Sequence, residues 1–275
     1  MRVTVLTDKP GHPLLAATAS VLVGAGHQVE FLDPGAPAPG APAGGEDDGV
    51  ADVYLLKAHT PEALALARGL EERGALVVNS AGATELCQDR NRIAMTAEAN
   101  GLPMPRTKLL DSLSGLLPDS GGPSFGYPFM VKSRHSRRGD LVARVDHPAA
   151  LRELAVAWHD EPVVAQEFIA NSGWDHKVWV IAGQVFAGVR QAPVGAPPTG
   201  ALSAPVVREL PGEWAALALH VGEVFGLDVY GVDLLDREGD PVVVDINAFP
   251  GIRGPEGAPE ALAALILTVR QRSVA

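Results

Sequence analysis

A chain of 275 residues, 47% apolar and 20% charged, can bury a sizeable core and falls in the ordinary globular class, with sequence for about two domains or one large α/β unit. Its net charge of −11 disfavours nonspecific binding to nucleic acid or to an anionic membrane surface, since both need a spread of Lys and Arg. A single cysteine, Cys87, excludes an intrachain disulfide and a multi-Cys zinc site and suits a reducing compartment, so a cytoplasmic location is expected.

Arg2–Leu6 reads as a strand, with no charged-then-apolar signal segment before it, and no apolar run in the chain is long enough to span a bilayer. An apolar-faced helix over 13–24 and an alternating strand at Gln28–Leu32 complete a β-α-β opening. Gly24-Ala25-Gly26 follows that helix and does not open one, so it reads as a helix end and not as a dinucleotide fingerprint. Residues 34–49 are too rich in Pro and Gly for a regular element and read as a surface loop. A strand at Asp52–Leu56, a helix at Pro61–Arg73 and a strand at Ala75–Asn79 continue the alternation, which implies a parallel sheet.

Thr84–Asn100 has helical periodicity and ends at Gly101, before the Pro103-Met104-Pro105 break. Strands are expected at Thr107–Leu110, Phe129–Lys132, Leu141–Val145 and Val163–Phe168, with a helix at Pro148–His159. Two further strands at Lys177–Ile181 and Gln184–Arg190, a Pro-rich loop at 192–205, a helix at Glu213–Phe225, a hairpin from Tyr230 to Asn247 and a helix at Pro259–Arg272 close the chain.

The hairpin carries the most chemistry. Its apolar strands flank a polar turn, so Asp233 and Asp245 fall at nearly opposed positions, and period two puts Asp245 and Asn247 on one face. Such a trio suits Mg²⁺, which takes hard oxygen ligands and usually a couple of carboxylates. The plainer reading, an acidic solvent face, accounts for Asp236, Glu238 and Asp240 in the turn; it does not account for carboxylates that interrupt apolar strands. Lys132 ends another apolar strand and leads into the cationic run 133–140, which could fold over a polyphosphate or be only a solvated turn. Val163–Ile169, followed by Asp175 and Lys177, could form one wall of a flat apolar slot. No Walker sequence, Gly-x-Ser-x-Gly elbow or His-Glu-x-x-His is present.

Taken in order, Asp89-Arg90 with Gly101–Pro105, Lys132, Gln166-Glu167-Phe168-Ile169, Asp233 and Asp245–Gly251 resemble the ATP-grasp superfamily over nearly the whole chain. Within it the chain is similar to two branches, the RimK-type carboxylate-amine ligases and the inositol trisphosphate 5/6-kinases. The resemblance implies an α/β ATP-grasp fold: an N-terminal parallel-sheet, Rossmann-like domain at 1–86 and two α+β lobes clasping ATP, at 87–169 and 170–275. It implies ATP and Mg²⁺, or Mn²⁺, as cofactors. Adenine would meet the strand end at Gln166, Glu167, Phe168 and Ile169, with Lys132 on the phosphates and Asp175 near the ribose. Asp233, Asp245 and Asn247 would hold the metal, and Lys177 and Arg190 would face the reacting phosphate. Arg90 stands where both branches usually carry a phosphate-contacting lysine, and guanidinium and ammonium are not interchangeable.

The branches differ in what attacks ATP. Asp245, where RimK-type ligases have Glu, and Lys57 at a strand end speak for a kinase, while the acidic balance speaks against a polyanionic substrate. Gly173–Lys177 and the composition speak for a ligase, although 191–205 lacks that branch's Arg-Ser-Asn element. The expectation is a ligase joining a small-molecule carboxylate to an amine, with a kinase as the alternative and a non-catalytic ATP-binding module as a third reading. Lys57 and Arg253 are the residues expected at an acceptor pocket. No nucleic acid or membrane partner is expected, and a homo-oligomer is compatible with the sequence.

Overall fold

The computed structural model describes residues 1–36, 50–117, 125–137, 139–170, 173–191, 206–207, 209–252 and 255–274. Most of the Pro/Gly loop expected over 34–49, the loop at 192–205, and Arg253 therefore lie outside the described residues. The N-terminal part is the expected alternation: β1 (Arg2–Leu6), α1 (Pro13–Gly24), β2 (Gln28–Leu32), β3 (Val53–Leu56), α2 (Pro61–Glu72) and β4 (Leu76–Val78). All its strand pairs are parallel, in the order β2-β1-β3-β4. Pro13 at the first turn starts α1, and past its cap at Ala25 the chain turns at Gly26 with φ of 83°, as read from the sequence.

The segment expected as one helix from Thr84 to Asn100 is two, α3 (Ala81–Leu86) and α4 (Arg90–Ala99). The break has a cause in Asp89. Its Oδ1 accepts from the Asn91 and Arg92 amides at 2.9 and 3.2 Å, starting a new helix, while its Oδ2 accepts from Arg134 Nε and Nη2 at 3.0 and 2.7 Å.

A second sheet follows, built from β5 (Thr107–Leu110), β6 (Phe129–Ser133), β7 (Val142–Val145) and β8 (Val163–Glu167), antiparallel in the order β5-β8-β6-β7 and backed by α5 (Pro148–Trp158). The third sheet contains β9 (Trp174–Ile181), β10 (Gln184–Gln191), β11 (Val206–Val207), β12 (Val229–Arg237) and β13 (Asp240–Ala248), in the order β11-β10-β9-β12-β13. Its helices are α6 (Gly212–Phe225) and α7 (Ala258–Val274). β9 begins three residues before the expected Lys177, because Trp174–His176 continue its pairing with β10. None of the described helices is long and apolar enough to cross a membrane.

The cores do not follow the sheets one to one. Val3, Val5, Leu14, Val53 and Val78 of the first sheet and its helices share a single apolar cluster with Trp179, Ile181, Val229, Phe249 and Leu262 of the third sheet and α7. The β5-β8 sheet has a cluster of its own, centred on Phe129, Val131, Leu151 and Val163. Asn79, 1% exposed, adds a polar clasp to the shared core. Its Nδ2 donates to the Val229 carbonyl at 2.7 Å, and its Oδ1 accepts from the Asp228 and Val229 amides at 2.8 and 3.0 Å. Asn79→Ala leaves these buried backbone groups unpaired and is expected to cost about 1–3 kcal/mol or more. Denaturant unfolding checks this; a midpoint equal to wild type would show that the clasp does not matter.

Candidate active site

Cross-strand register assembles the centre of the site. Gly188, Lys177, Asp233 and Asp245 lie directly opposite one another on β10, β9, β12 and β13. Lys177 Nζ donates to Asp233 Oδ1 and Oδ2 at 2.7 and 3.0 Å, and two residues along, Asn247 Nδ2 donates to Asp245 Oδ2 at 3.2 Å. The opposite face of these strands is apolar: Val178, Val232, Leu234 and Ile246 pack with α6, and His176 sets its ring edge-on to Trp214. Alternation alone thus separates a charged face from a core face.

Between Asp233 and Leu234 the register shifts by one, leaving Val244 as an extra residue in β13. Its carbonyl accepts from Lys132 Nζ at 2.8 Å, which ties β6 to the acidic hairpin. Lys132 is buried. Burial pushes its amine below the ordinary lysine range; Asp245 opposes that shift, Arg90 adds to it, and Asp233 and Asp140 oppose it.

Arg90 completes the group from the first turn of α4. Its side chain is 8% exposed and Nη1 donates to the Ser133 carbonyl at 2.8 Å and to Asp140 Oδ2 at 2.7 Å. Its Nε, buried with no hydrogen-bond partner among the described residues, faces Asp245 Oδ1 at 4.0 Å. Together with the Asp89–Arg134 pair, and with the Ser136 amide on the Gln88 carbonyl at 2.9 Å, this fastens the loop after β6 to the start of α4. Fork geometry lets Arg90 hold two oxygens and still present a third donor, which an ammonium in that place could not do in the same plane.

The residues expected at the base sit at the end of β8, Gln166 and Glu167, and just past it, Phe168 and Ile169. Gln166 Nε2 donates to Thr107 Oγ1 at 3.0 Å, and the Arg144 guanidinium lies 4.3 Å from the Phe168 ring centre. The Glu167 amide donates to the Arg106 carbonyl at 2.9 Å, so that N–H is not offered to a base, and its carboxylate takes Arg106 Nε at 3.0 Å. Ile169 is buried. Asp175 shares a strand with Lys177, two residues before it, and is paired in register with Arg190, of which only the backbone is described.

Arg90, Lys132, Lys177, Asp233, Asp245 and Asn247 are thus brought together. Asp140, the Val244 carbonyl and the Asp89–Arg134 pair are site features that sequence reasoning missed; an aspartate closing a cationic run was the only available signal, for Asp140. Burial first, then Asp245, pushes the Cys87 thiol up to about 12, so it offers no thiolate at neutral pH. No group of three or more His, Cys, Asp or Glu suited to a metal occurs among the described residues. Two opposed carboxylates with a side-chain amide still make a hard-oxygen set that fits Mg²⁺ with phosphate and water oxygens beside it.

Residues 89–264, which include Arg90, Lys132, Lys177, Asp233, Asp245 and Asn247, match the RimK-like ATP-grasp domain. The chain belongs to that family. Curated relatives of the RimK-like domain include a probable alpha-L-glutamate ligase of Vibrio vulnificus (strain YJ016), 29% identical over 70% of this chain and 66% of the relative. Another, of Hydrogenovibrio crunogenus (strain DSM 25203 / XCL-2), is 31% identical over the same shares, 70% and 66%. The matched stretch therefore spans just under two thirds of these relatives. Among solved structures, a RimK domain ATP-grasp protein from Sphaerobacter thermophilus DSM 20745 superposes with a TM-score of 0.74 at 24% identity, covering 97% of this chain and 100% of that one. D-alanine–D-alanine ligase from Bacillus anthracis complexed with ATP gives 0.69 at 16%, covering 99% and 98%. These likenesses establish the ATP-grasp fold, with a parallel N-terminal sheet and antiparallel sheets beyond it.

In the RimK-like domain Lys132 is a buried cation on the face of β6 turned towards the hairpin. Lys132→Met is expected to weaken Mg·ATP binding by about 1.5–3 kcal/mol, the size of a lost charge-assisted contact. Calorimetric titration with Mg·AMP-PNP checks this, and unchanged affinity would remove Lys132 from the nucleotide site.

Proposed function

We propose that this protein is an ATP-dependent carboxylate-amine ligase that works through an acyl phosphate. The observation that carries the reading is the row Lys177–Asp233–Asp245 with Lys132 and Arg90 converging on it: three cations and two carboxylates, the equipment of phosphoryl transfer. The names of the curated relatives choose the ligase branch.

In this reading one lobe, 87–169, contributes Arg90 and Lys132 to the phosphates and the strand end Gln166–Ile169 to the base. The other, 170–275, contributes Asp175 at the ribose and Lys177 and Arg190 at the transferred phosphate, with 1–86 as the N-terminal domain. Asp233, Asp245 and Asn247 would hold Mg²⁺, which supplies charge neutralisation to the phosphates. A carboxylate oxygen of the substrate attacks the γ-phosphorus and ADP departs. The amine nitrogen of the second substrate then attacks the acyl carbon, the C–N bond forms, and inorganic phosphate leaves with the carboxylate oxygen. Lys177 and Arg190 stabilise the charge on the transferred group, because fixed cations near a loose phosphoryl transition state lower its energy without reorganising. The lone, buried Cys87 supports a reducing, cytoplasmic setting.

The test uses γ-labelled ATP with pooled amino acids and mass spectrometry of the products. The ligase reading expects free phosphate released in step with an amide, and no turnover without an amine. A labelled, stable ester on a hydroxyl substrate, formed without an amine, would replace it with the kinase reading. Asp245→Asn and Asp233→Asn are each expected to abolish turnover while leaving the fold intact, since each removes a negative charge from the oxygen set. Near wild-type turnover of either variant at limiting Mg²⁺ would reduce the row to an acidic surface.

A further inference from the structure

The row beside Lys177–Asp233–Asp245 contains a gap. Two residues along the same strands, on the same face, Trp179, Gly231 and Asn247 lie directly opposite one another. Asn247 therefore faces a glycine across the strand pair, at the distance where two side chains would ordinarily touch. Gly231 lies within β12, where extended backbone accepts any residue, so the glycine answers a demand for space and not for conformation.

The occupant of that space is Pro250. A Cβ on Gly231 would lie 3.0 Å from Pro250 Cγ, 3.5 Å from its Cβ and 3.6 Å from Trp179 Cδ1. The pyrrolidine ring stands where the side chain of residue 231 would be, beside Trp179 and across from Asn247. Reaching that place takes a sharp reversal. β13 ends at Ala248, and Phe249 then has φ of 41°, a left-handed conformation that a bulky residue rarely adopts. Such a conformation persists only where its surroundings hold it. Here the Phe249 ring is fully buried in the shared core, with Lys57 Nζ 5.8 Å from its centre, and the Phe249 amide donates to the Val229 carbonyl at 2.8 Å.

Strain of this kind concentrates at functional sites, and this reversal adjoins the oxygen set. Asn247 is half-buried, and its Nδ2 donates to Asp245 Oδ2 at 3.2 Å. An amide side chain can serve a cation only through Oδ1, so it has to be kept from turning over. One hydrogen bond of that length is a loose hold. A proline ring has no torsional freedom of its own to lose, and lodged across from Asn247 it limits the space in which the amide can turn.

We propose that Pro250 is a positioning residue: seated in the notch left by Gly231, it fixes the rotamer of Asn247 and so the direction in which Oδ1 is presented to the metal. The assignment of Oδ1 to Mg²⁺ rests on the ligase reading above; the confinement of Asn247 by Pro250 does not. The probe is full-length protein with ¹⁵N-labelled asparagine, the Asn247 side-chain amide signals being assigned by Asn247→Ala. Those signals are compared by NMR, without metal or nucleotide, in wild type, Pro250→Ala, Gly231→Ala and the double variant, and thermal midpoints are recorded alongside. Mn²⁺ affinity in the presence of AMP-PNP is read on the same proteins by electron paramagnetic resonance. Pro250→Ala is expected to shift the Asn247 amide signals, speed their exchange with water and weaken Mn²⁺ by about tenfold, the size typical when a group that orients a metal ligand is lost. Gly231→Ala, whose methyl displaces the ring, is expected to act in the same direction. In the double variant that methyl takes the vacated space, so the two losses are expected not to multiply. If Pro250→Ala leaves the Asn247 signals and Mn²⁺ affinity as in wild type, whatever its thermal midpoint, the proposal is overturned, as it is if the two single losses simply multiply. If Asn247→Ala leaves Mn²⁺ affinity unchanged while Pro250→Ala still moves the Asn247 amide, the positioning stands and the metal reading falls.

Discussion

Two carboxylates set directly opposite each other on neighbouring strands repel, and most of this site is an answer to that repulsion. Asp233 is met by Lys177 from the adjoining strand, in a pair whose side chains are about one-fifth exposed, at 21% and 18%. Asp245 is met from two directions, by the Arg90 guanidinium and by the Lys132 amine. The charges come from three separate elements, so the pairing also fixes how β6, α4 and the hairpin sit against one another. In the proposed reading a polyphosphate would compete with Asp233 and Asp245 for the same three cations, and its binding would be an exchange of partners, with a smaller net gain than the contacts alone suggest.

Much of this was legible in the sequence because it depends on local period. Opposition of Asp233 and Asp245 follows from two apolar runs around a polar turn, and Lys177 needed only one more strand. The extra residue at Val244 was not legible: a bulge changes register without changing composition. Lys132 was readable as a strand-end cation, but its acceptor is 112 residues further on. The helix break at Cys87–Asp89 escaped for a similar reason. Asp89 caps α4 locally, but its other oxygen is held by Arg134, and periodicity carries no record of that contact.

Arg90 shows how one guanidinium gathers several partners. With Asp140 and the Ser133 carbonyl on Nη1, the guanidinium is immobilised with its Nε turned to the acidic row. A lysine in that place would have one ammonium to divide among these oxygens. Arg134 and Ser136 of the loop after β6 are likewise held at the start of α4, on Asp89 and the Gln88 carbonyl, so Arg90 and that loop are better understood as one unit.

The shared core between the first and third sheets has a mechanical consequence. Sliding those two parts past each other would expose Trp179, Phe249 and Leu262 together with Val3 and Leu14, and would pull Asn79 from its three backbone partners. They therefore behave as a single rigid jaw. The β5-β8 sheet has a separate core, and among the described residues it is fastened to the rest by polar contacts that include Lys132–Val244, Arg90–Ser133 and Asp89–Arg134. If the nucleotide binds as proposed, opening such a clamp would break a few polar contacts that the phosphates could replace.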